Sequence, residues 1–410
     1  MSLNLDTKRW MVIVAGVLAN LCQGAAYSFS VFKGPLKDRL GCSETEVALT
    51  FSISVALLPV GMLASGKLAD RRSPGLVVAA GGLVFGLGMF LAAYAHSLAA
   101  LYLTLGAMLS IGNGAAYGAV VSASVKWFPD RRGMASGMVV GALGIGTVIM
   151  APLAQRMIDS PALGLSGAFK VLGAAFIVIT LIASRFVSNP PPGYAPAGFV
   201  PRVDPTTRPQ EELPWTRMIA KARFWVLYTM YLTGAFSGLM LASQASSIAQ
   251  EVSGLSAAAG SLIVSVFGLA NATGRMFWGA VSDRIGRFEA LSLMFAVTAA
   301  VMFSFGSMAA GAAGLTLAVL LVALCYGGYL GVFPSVCADT FGSANLTVNY
   351  GIMFSGFSLA GVLGPRVGAA LRESSGSYGS SFTAAGIVAA AGLLIVLVAR
   401  SGDRRDAPRR

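Results

Sequence analysis

An arginine, Arg275, lies in the middle of a long apolar stretch, SLIVSVFGLANATGRMFWGAVSDRIGR, at residues 261–287. A guanidinium near the centre of a bilayer costs about 2.5–3.5 kcal/mol on insertion scales. Most apolar runs of this chain avoid that cost, so we expect an anion opposite Arg275. A carboxylate suits the position, because it can accept charge-assisted, bidentate hydrogen bonds from a guanidinium. The alternative is that Arg275 extends along its helix toward water.

A second polar residue, Asn271, precedes Arg275 by four positions, so the two side chains share one face of the predicted helix. An amide can bind an oxygen of the anion or orient the guanidinium. It cannot titrate, so a coupled proton would have to travel by another route. An ordinary polar contact between two helices is the alternative for Asn271.

The elements that position these residues are predicted to lie in a membrane. Hydrophobic residues make up 56% of the chain and charged residues 11%, against about 25% charged in soluble domains. The net charge is +12, but most of the 29 Lys and Arg fall in loops on one predicted side. That side is expected to be cytoplasmic, with both termini there and the protein in the cell membrane. This distribution argues for a lipid bilayer and against nucleic acid as the partner.

Apolar runs of about 20 residues, separated by short polar loops, predict twelve spanning helices. They are predicted at residues 10–33, 44–68, 74–95, 98–127, 131–155, 165–187, 223–250, 256–281, 286–308, 312–340, 346–371 and 378–400. Ser43 and Glu46 predict a capping box at the start of the second helix. The chain divides into a six-helix bundle (1–187), a Pro-rich cytoplasmic linker (188–222), a second six-helix bundle (223–400) and a cytoplasmic tail (401–410).

An internal repeat supports this division. The pattern G-x-x-x-D-R follows the second helix, at residues 66–71, and the eighth helix, at residues 279–284. The fifth and eleventh predicted helices also share a series of glycines followed by a proline, Pro152 and Pro365. Patterns that recur in matching places predict a duplicated unit and two pseudo-symmetric halves.

With these paired motifs and the segment WFPDRRGMASG, residues 127–137, the sequence resembles the major facilitator superfamily over essentially its whole length. Within it, the sequence is most similar to bacterial monocarboxylate transporters and their oxalate–formate exchange relatives. The local matches are YSFSVFKGPL, GRMFWGAVSDRIGR, FPSVCADTFG and NYG. The resemblance implies an all-α integral membrane fold of twelve helices in two six-helix bundles. It also implies alternating access around a midplane site.

The resemblance implies several aromatic residues at that site. Tyr27, Tyr117 and Tyr326 match positions that are aromatic and line the site in similar oxalate carriers, and Asn113 lies one turn before Tyr117. A tyrosine offers a flat apolar wall and one hydroxyl, which suits a small acid with an apolar tail. For each tyrosine the alternative is packing, with its hydroxyl against a neighbouring helix.

Two departures from the oxalate carriers bear on substrate choice. Phe357, near Phe354 on the eleventh helix, stands where those carriers have a lysine, and Ala26 stands where they have a glutamine. One cation facing an apolar wall favours a monocarboxylate. Ser358 could reach a hydroxyl of the substrate, although a hydrogen bond to its own helix is the alternative. At Asn271, many animal monocarboxylate transporters have an aspartate that takes part in proton coupling.

Charged residues at the cytoplasmic helix ends are predicted to form a gate. Charges and helix ends there could hold the two bundles together in one conformation. The alternative is a role in topology and solvation alone. The predicted gate residues are Asp70, Arg71, Asp283, Arg284, Arg287 and Arg131.

The sequence thus predicts a secondary active transporter of small monocarboxylates such as L-lactate or pyruvate. The expected partner is a small organic monoanion, and a proton is the expected coupling ion. No other cofactor, metal, catalytic group or obligatory protein partner is indicated, so an enzyme is not expected. Two alternatives stay open, an organic-anion exchanger of the oxalate–formate type and a non-transporting membrane receptor.

Overall fold

The computed structural model describes residues 5–196, 198–199 and 211–405, without the side chains of residues 44, 257, 258 and 401–405. Part of the predicted linker, residues 197 and 200–210, and part of the predicted tail, residues 406–410, lie outside the described residues. The described chain consists of helices and connecting turns and contains no strand. The predicted all-helical membrane fold is confirmed.

Long helices occupy all twelve predicted places. In chain order they are α1 (Leu5–Leu40), α2 (Glu44–Arg71), α3 (Pro74–Leu91), α4 (Leu98–Trp127), α5 (Arg132–Asp159), α6 (Gly164–Ser184), α7 (Ala222–Glu251), α8 (Ala257–Ile285), α9 (Arg287–Met308), α10 (Ala312–Phe341), α11 (Leu346–Ser375) and α12 (Gly379–Arg405). Among the described residues, eleven helices are long and apolar enough to cross a membrane. The further long helix, α8, carries Arg275 and Asn271.

Two of these helices contain irregular segments. A 3-10 turn at Gly24–Ser28 interrupts α1, and a π-helical segment at Tyr102–Met108 lies near the start of α4. A short helix, Trp215–Ile219, precedes α7. The 3-10 turn contains Tyr27, so this predicted site residue lies where the regular helix is broken.

Local sequence signals set the helix ends. The predicted capping box of α2 is confirmed, because the Ser43 N–H donates to the Glu46 carboxylate (2.8 Å) and the Glu46 N–H donates to Ser43 Oγ (3.2 Å). Gly286, with φ of +104°, separates α8 from α9. A positive φ favours glycine, which allows the tight turn that brings Arg287 close behind Asp283.

The chain divides into two compact units. Unit 1 comprises Met1–Asp130, Ala142–Ala197 and Ser343–Ser355, and unit 2 comprises Arg131–Gly141, Gly198–Gly342 and Gly356–Arg410. The first part of α5 therefore belongs to unit 2, and the first part of α11 belongs to unit 1. The domain boundaries drawn from the sequence stay a prediction.

Within unit 2, glycines bring two helices close to the backbone of Arg275. A methyl group added at Gly137 of α5, or at Gly331 of α10, would overlap the carbonyl oxygen of Arg275. Residues without side chains permit such close helix packing. The guanidinium of Arg275 therefore projects from a segment of α8 that is packed tightly on two sides.

Candidate functional site

Arg275 is buried in unit 2, with 6% of its surface exposed. Its Nε donates a hydrogen bond to Oδ1 of Asn271 (3.0 Å), and its Nη1 donates to the carbonyl oxygen of Val140 on α5 (2.8 Å). Asn271 is equally buried. Both acceptors are neutral, so they orient the guanidinium without cancelling its charge.

The remaining hydrogen-bonding capacity of Arg275 is unused within the described chain. No described carboxylate forms an ion pair with it, and its second terminal nitrogen donates to no described residue. A guanidinium carries five N–H donors in a planar fork. A buried charge that has no partner of opposite charge is energetically costly. The arrangement can therefore accept a carboxylate on the free side of the fork.

Two predicted site residues of unit 2, Tyr326 and Phe357, lie together. Their rings are stacked with centroids 6.3 Å apart, and both side chains are buried. The ring centroid of Phe267 lies 5.8 Å from that of Tyr326, and the ring centroid of Tyr231 lies 6.0 Å from that of Phe357. Ser358 follows Phe357 and is also buried. Phe267 and Tyr231 carried no distinguishing signal in the sequence, because they occur in ordinary apolar helix runs.

Another pair of predicted residues lies in unit 1. Tyr117 is buried on α4, its ring centroid lies 5.8 Å from that of Phe354, and its hydroxyl lies 3.3 Å from the hydroxyl of Tyr350. The ring of Tyr350 also contacts Phe354. Tyr350 belongs to the NYG segment, which matched the family without suggesting this role. The three rings form one aromatic cluster.

The two other predicted residues of unit 1 differ in exposure. Asn113 is 2% exposed, and its Oδ1 accepts no hydrogen bond from the part of the chain that the structure describes. Tyr27 is half-buried. Asn113 is thus available to a donor that the described side chains do not supply.

At the end of α8, Asp283 binds the start of another helix. Its Oδ1 accepts a hydrogen bond from the Gly133 N–H (2.8 Å), and its Oδ2 accepts one from the Met134 N–H (2.7 Å). These amides belong to the first turn of α5, where a helix has unpaired N–H groups and a partial positive charge. Asp283 therefore caps α5 within unit 2.

Ion pairs extend this contact. Nη1 of Arg287, the first residue of α9, lies 2.7 Å from Oδ1 of Asp283. Its Nε donates to Oδ2 of Asp339 on α10 (2.8 Å). Arg132, at the start of α5, donates to the other oxygen of Asp339 (2.7 Å). The ends of α5, α8 and α10 are thus joined by alternating charges.

Asp70, which occupies the matching place in the first repeat, makes the corresponding contact in unit 1. Its Oδ2 accepts a hydrogen bond from the Thr347 N–H (2.9 Å), in the first turn of α11. Lys126 and Ser122 of α4 donate to its Oδ1 at 2.8 and 2.9 Å. Its side chain is only 1% exposed. Both repeated aspartates therefore cap the beginning of a long helix.

The other predicted gate residues differ in their surroundings. Arg71 and Arg284, which follow the two aspartates, are exposed, and neither forms an ion pair with a described residue. Arg131 is also exposed. The aspartates and Arg287, rather than the arginines of the D-R pairs, make the helix-end contacts.

Besides these aromatic residues, further contributors to the sites were missed in the sequence. Asp339 and Lys126 are charged residues near the ends of apolar helices, and that placement could have suggested them. Thr347 lies in the first turn of a predicted helix, where free N–H groups attract a carboxylate, and that position could have suggested it. The carbonyl of Val140 had no possible signal, because every residue has one and only the packing of α5 selects it.

The sequence matches the profile of the Major Facilitator Superfamily over residues 12–342 and 241–410. The oxalate:formate antiporter of Oxalobacter formigenes is 30% identical over 377 residues, covering 92% of this chain and 88% of that protein. An uncharacterized MFS-type transporter of Escherichia coli, YhjX, is 29% identical over 88% of this chain and 87% of that protein. Monocarboxylate transporter 13 of Rattus norvegicus is 26% identical over 95% of this chain and 88% of that protein.

The fold has solved counterparts. The crystal structure of the transporter FucP in the outward conformation matches with a TM-score of 0.69 at 13% identity, covering 95% of this chain and 99% of that one. At this identity the likeness concerns the fold alone. The chain belongs to the major facilitator superfamily, and it is a multi-pass membrane transporter.

Proposed function

We propose that this protein is a secondary active transporter of small monocarboxylates such as L-lactate or pyruvate, and that it moves them without chemical change. The observation that carries the proposal is the buried guanidinium of Arg275. It donates hydrogen bonds to two neutral acceptors and has further N–H groups that donate to no described residue. A substrate carboxylate on the free side would compensate the charge and receive charge-assisted hydrogen bonds.

The surroundings support one carboxylate rather than two. Phe357 and Tyr326 present stacked aromatic faces in the same unit as Arg275. A second carboxylate would need a second cation or several hydrogen bonds, because an unpaired buried charge is costly. A short apolar tail instead gains from contact with aromatic surface.

Asn271 acts in this proposal as a positioning residue. Its Oδ1 holds Nε of Arg275, which turns the terminal nitrogens toward the substrate. Because an amide does not titrate and an arginine stays protonated, neither residue is the proton carrier. The coupled proton therefore moves with the substrate or with the network that the substrate completes.

The capped helix ends serve as the gate in this proposal. Asp70 and Asp283 each bind the first amides of a helix, and these contacts must break and re-form if the helix moves. Substrate neutralises Arg275, which lowers the cost of enclosing it. Binding energy is thereby available to shift the population of gate conformations.

Uptake into proteoliposomes tests this function. Labelled L-lactate is supplied with and without an inward proton gradient, and pyruvate, formate and oxalate are added as competitors. We expect accumulation driven by the gradient, blocked by pyruvate and not by oxalate. Gradient-independent uptake that requires an internal anion would contradict proton symport.

An organic-anion exchanger is the second candidate. It is favoured by the 30% identity to a protein described as an oxalate:formate antiporter. The same vesicles separate the candidates, since an exchanger takes up label only when they are preloaded with a counter-anion.

A further inference from the structure

The first residues of the linker are docked against unit 1. The side-chain amide of Asn189 donates to the carbonyl oxygens of Ala69 (3.1 Å) and Asp70 (3.4 Å). The indole N–H of Trp127 donates to the carbonyl of Ser188 (2.7 Å). The ring centroids of Trp127 and Tyr194 lie 4.8 Å apart. These contacts fix the start of the linker to the ends of α2 and α4.

The two carbonyls that Asn189 binds belong to the last turn of α2. Carbonyls in a last turn lack partners within their own helix, so an outside donor is needed. One of them is the backbone carbonyl of Asp70, whose carboxylate binds the Thr347 and Val348 amides. Asn189 and the start of α11 thus contact the same residue, one at its backbone carbonyl and the other at its carboxylate.

We infer that Asn189 is a positioning residue for Asp70, which makes the start of the linker a part of the gate. The hydrogen bonds from Asn189 hold the last turn of α2, and that turn fixes the direction of the Asp70 carboxylate. The inference rests on the gate in the proposed function, but its structural part requires no substrate.

The other end of the linker is docked in a similar manner in unit 2. The Leu213 N–H donates to the carbonyl of Phe341 (3.0 Å), the last residue of α10. Asp339, two residues earlier, binds Arg132 and Arg287. Each described end of the linker therefore satisfies a carbonyl in the last turn of a helix whose end carries a carboxylate in a helix-end contact, Asp70 in α2 and Asp339 in α10.

Amide hydrogen exchange tests the inference directly. Exchange of the Thr347 and Val348 amides is measured in nanodiscs for wild type, Asn189→Ala, Asn189→Asp and Asp70→Asn. Ser188→Ala is the matched control, since its hydroxyl makes no hydrogen bond with a described residue and its carbonyl is retained. Melting temperatures verify folding, and the Gly133 and Met134 amides provide an internal reference.

Asn189→Ala removes both the 3.1 Å hydrogen bond to Ala69 and the longer one to Asp70. We therefore expect it to raise exchange at Thr347 and Val348 by at least about twofold to tenfold, the population shift from one lost neutral hydrogen bond. Asn189→Asp should raise it more, because a carboxylate lacks donors and would face the negative end of α2. The double variant of Asn189→Ala and Asp70→Asn should exchange like Asp70→Asn alone.

Three results would overturn the inference. These are wild-type exchange in both Asn189 variants, an equal rise across all helices of unit 1, or additive effects in the double variant. Failure of lactate transport would contradict the proposed substrate and leave these exchange results unaffected, so the two failures are distinguishable.

Discussion

Arg275 and Asn271 lie one turn apart on α8, and the hydrogen bond between them determines which guanidinium donors are free. With an amide at position 271 the fork keeps its full positive charge. A carboxylate there would form an internal ion pair and compete with any other anion for the guanidinium. The choice of amide or acid at this position therefore controls how strongly Arg275 attracts an anion.

Asn271→Asp should weaken substrate binding. We expect KM for L-lactate to rise at least tenfold at neutral pH, because the new carboxylate competes for the guanidinium. Initial uptake rates over a range of lactate concentrations measure this effect. Asn271→Ala is the control: it removes the orienting contact without adding a charge, so its KM should rise less. Equal KM values in the two variants would argue against competition by charge.

At the residue scale the sequence showed which residues carry charge, but not which groups those residues contact. Arg275 and the two repeated aspartates could be predicted because charged residues are rare near or inside apolar runs. Their partners could not be predicted, because the Val140 carbonyl and the amides of Gly133, Met134 and Thr347 belong to the backbone. Tertiary packing alone selects among chemically identical backbone groups.

At the scale of helices, α5 and α8 pack so closely that Gly137 touches the backbone at Arg275. The helix boundaries were predictable because apolar runs, capping residues and turn glycines are local signals. The contact faces were not, since glycines occur throughout this chain and only some of them meet another helix.

Gly137→Ala should destabilise the protein by about 1–3 kcal/mol, the range for overpacking in a filled interior. We also expect slower uptake, because the added methyl would displace the backbone that positions Arg275, the proposed substrate anchor. Melting temperature and uptake rate measure the two effects. Gly306→Ala is the matched control, because no described atom outside its own helix lies within 4 Å of the added methyl. A Gly137→Ala protein as stable as the Gly306→Ala control would contradict this close packing.

At the scale of the whole molecule, composition and periodicity were sufficient for the fold class. Hydrophobic content and twelve apolar runs indicated a helical membrane protein, and the paired G-x-x-x-D-R motifs indicated a duplication. The sequence did not predict that the first part of α5 belongs to unit 2 and the first part of α11 to unit 1. This division depends on long-range contacts of α5 and α11 that leave no local pattern in the sequence.

Reporter fusions test the predicted orientation, with both termini in the cytoplasm. A fluorescent protein fused to the C-terminus should fluoresce, and alkaline phosphatase fused there should be inactive. The same phosphatase inserted at Gly41, between α1 and α2, should be active, since that turn is predicted to lie outside. The opposite pattern would reverse the orientation inferred from the positive charges.

The central claim is that Arg275 binds the substrate carboxylate, and calorimetric titration of purified protein with L-lactate tests it most directly. Arg275→Ala should lose detectable binding, since charge-assisted hydrogen bonds contribute about 1.5–3 kcal/mol each. Arg275→Lys should bind at least tenfold more weakly, because an ammonium keeps the charge without the planar fork. Arg185→Ala, which alters an exposed arginine at the end of α6, outside the predicted site and gate, should bind as wild type does. Wild-type affinity in Arg275→Ala would contradict the account.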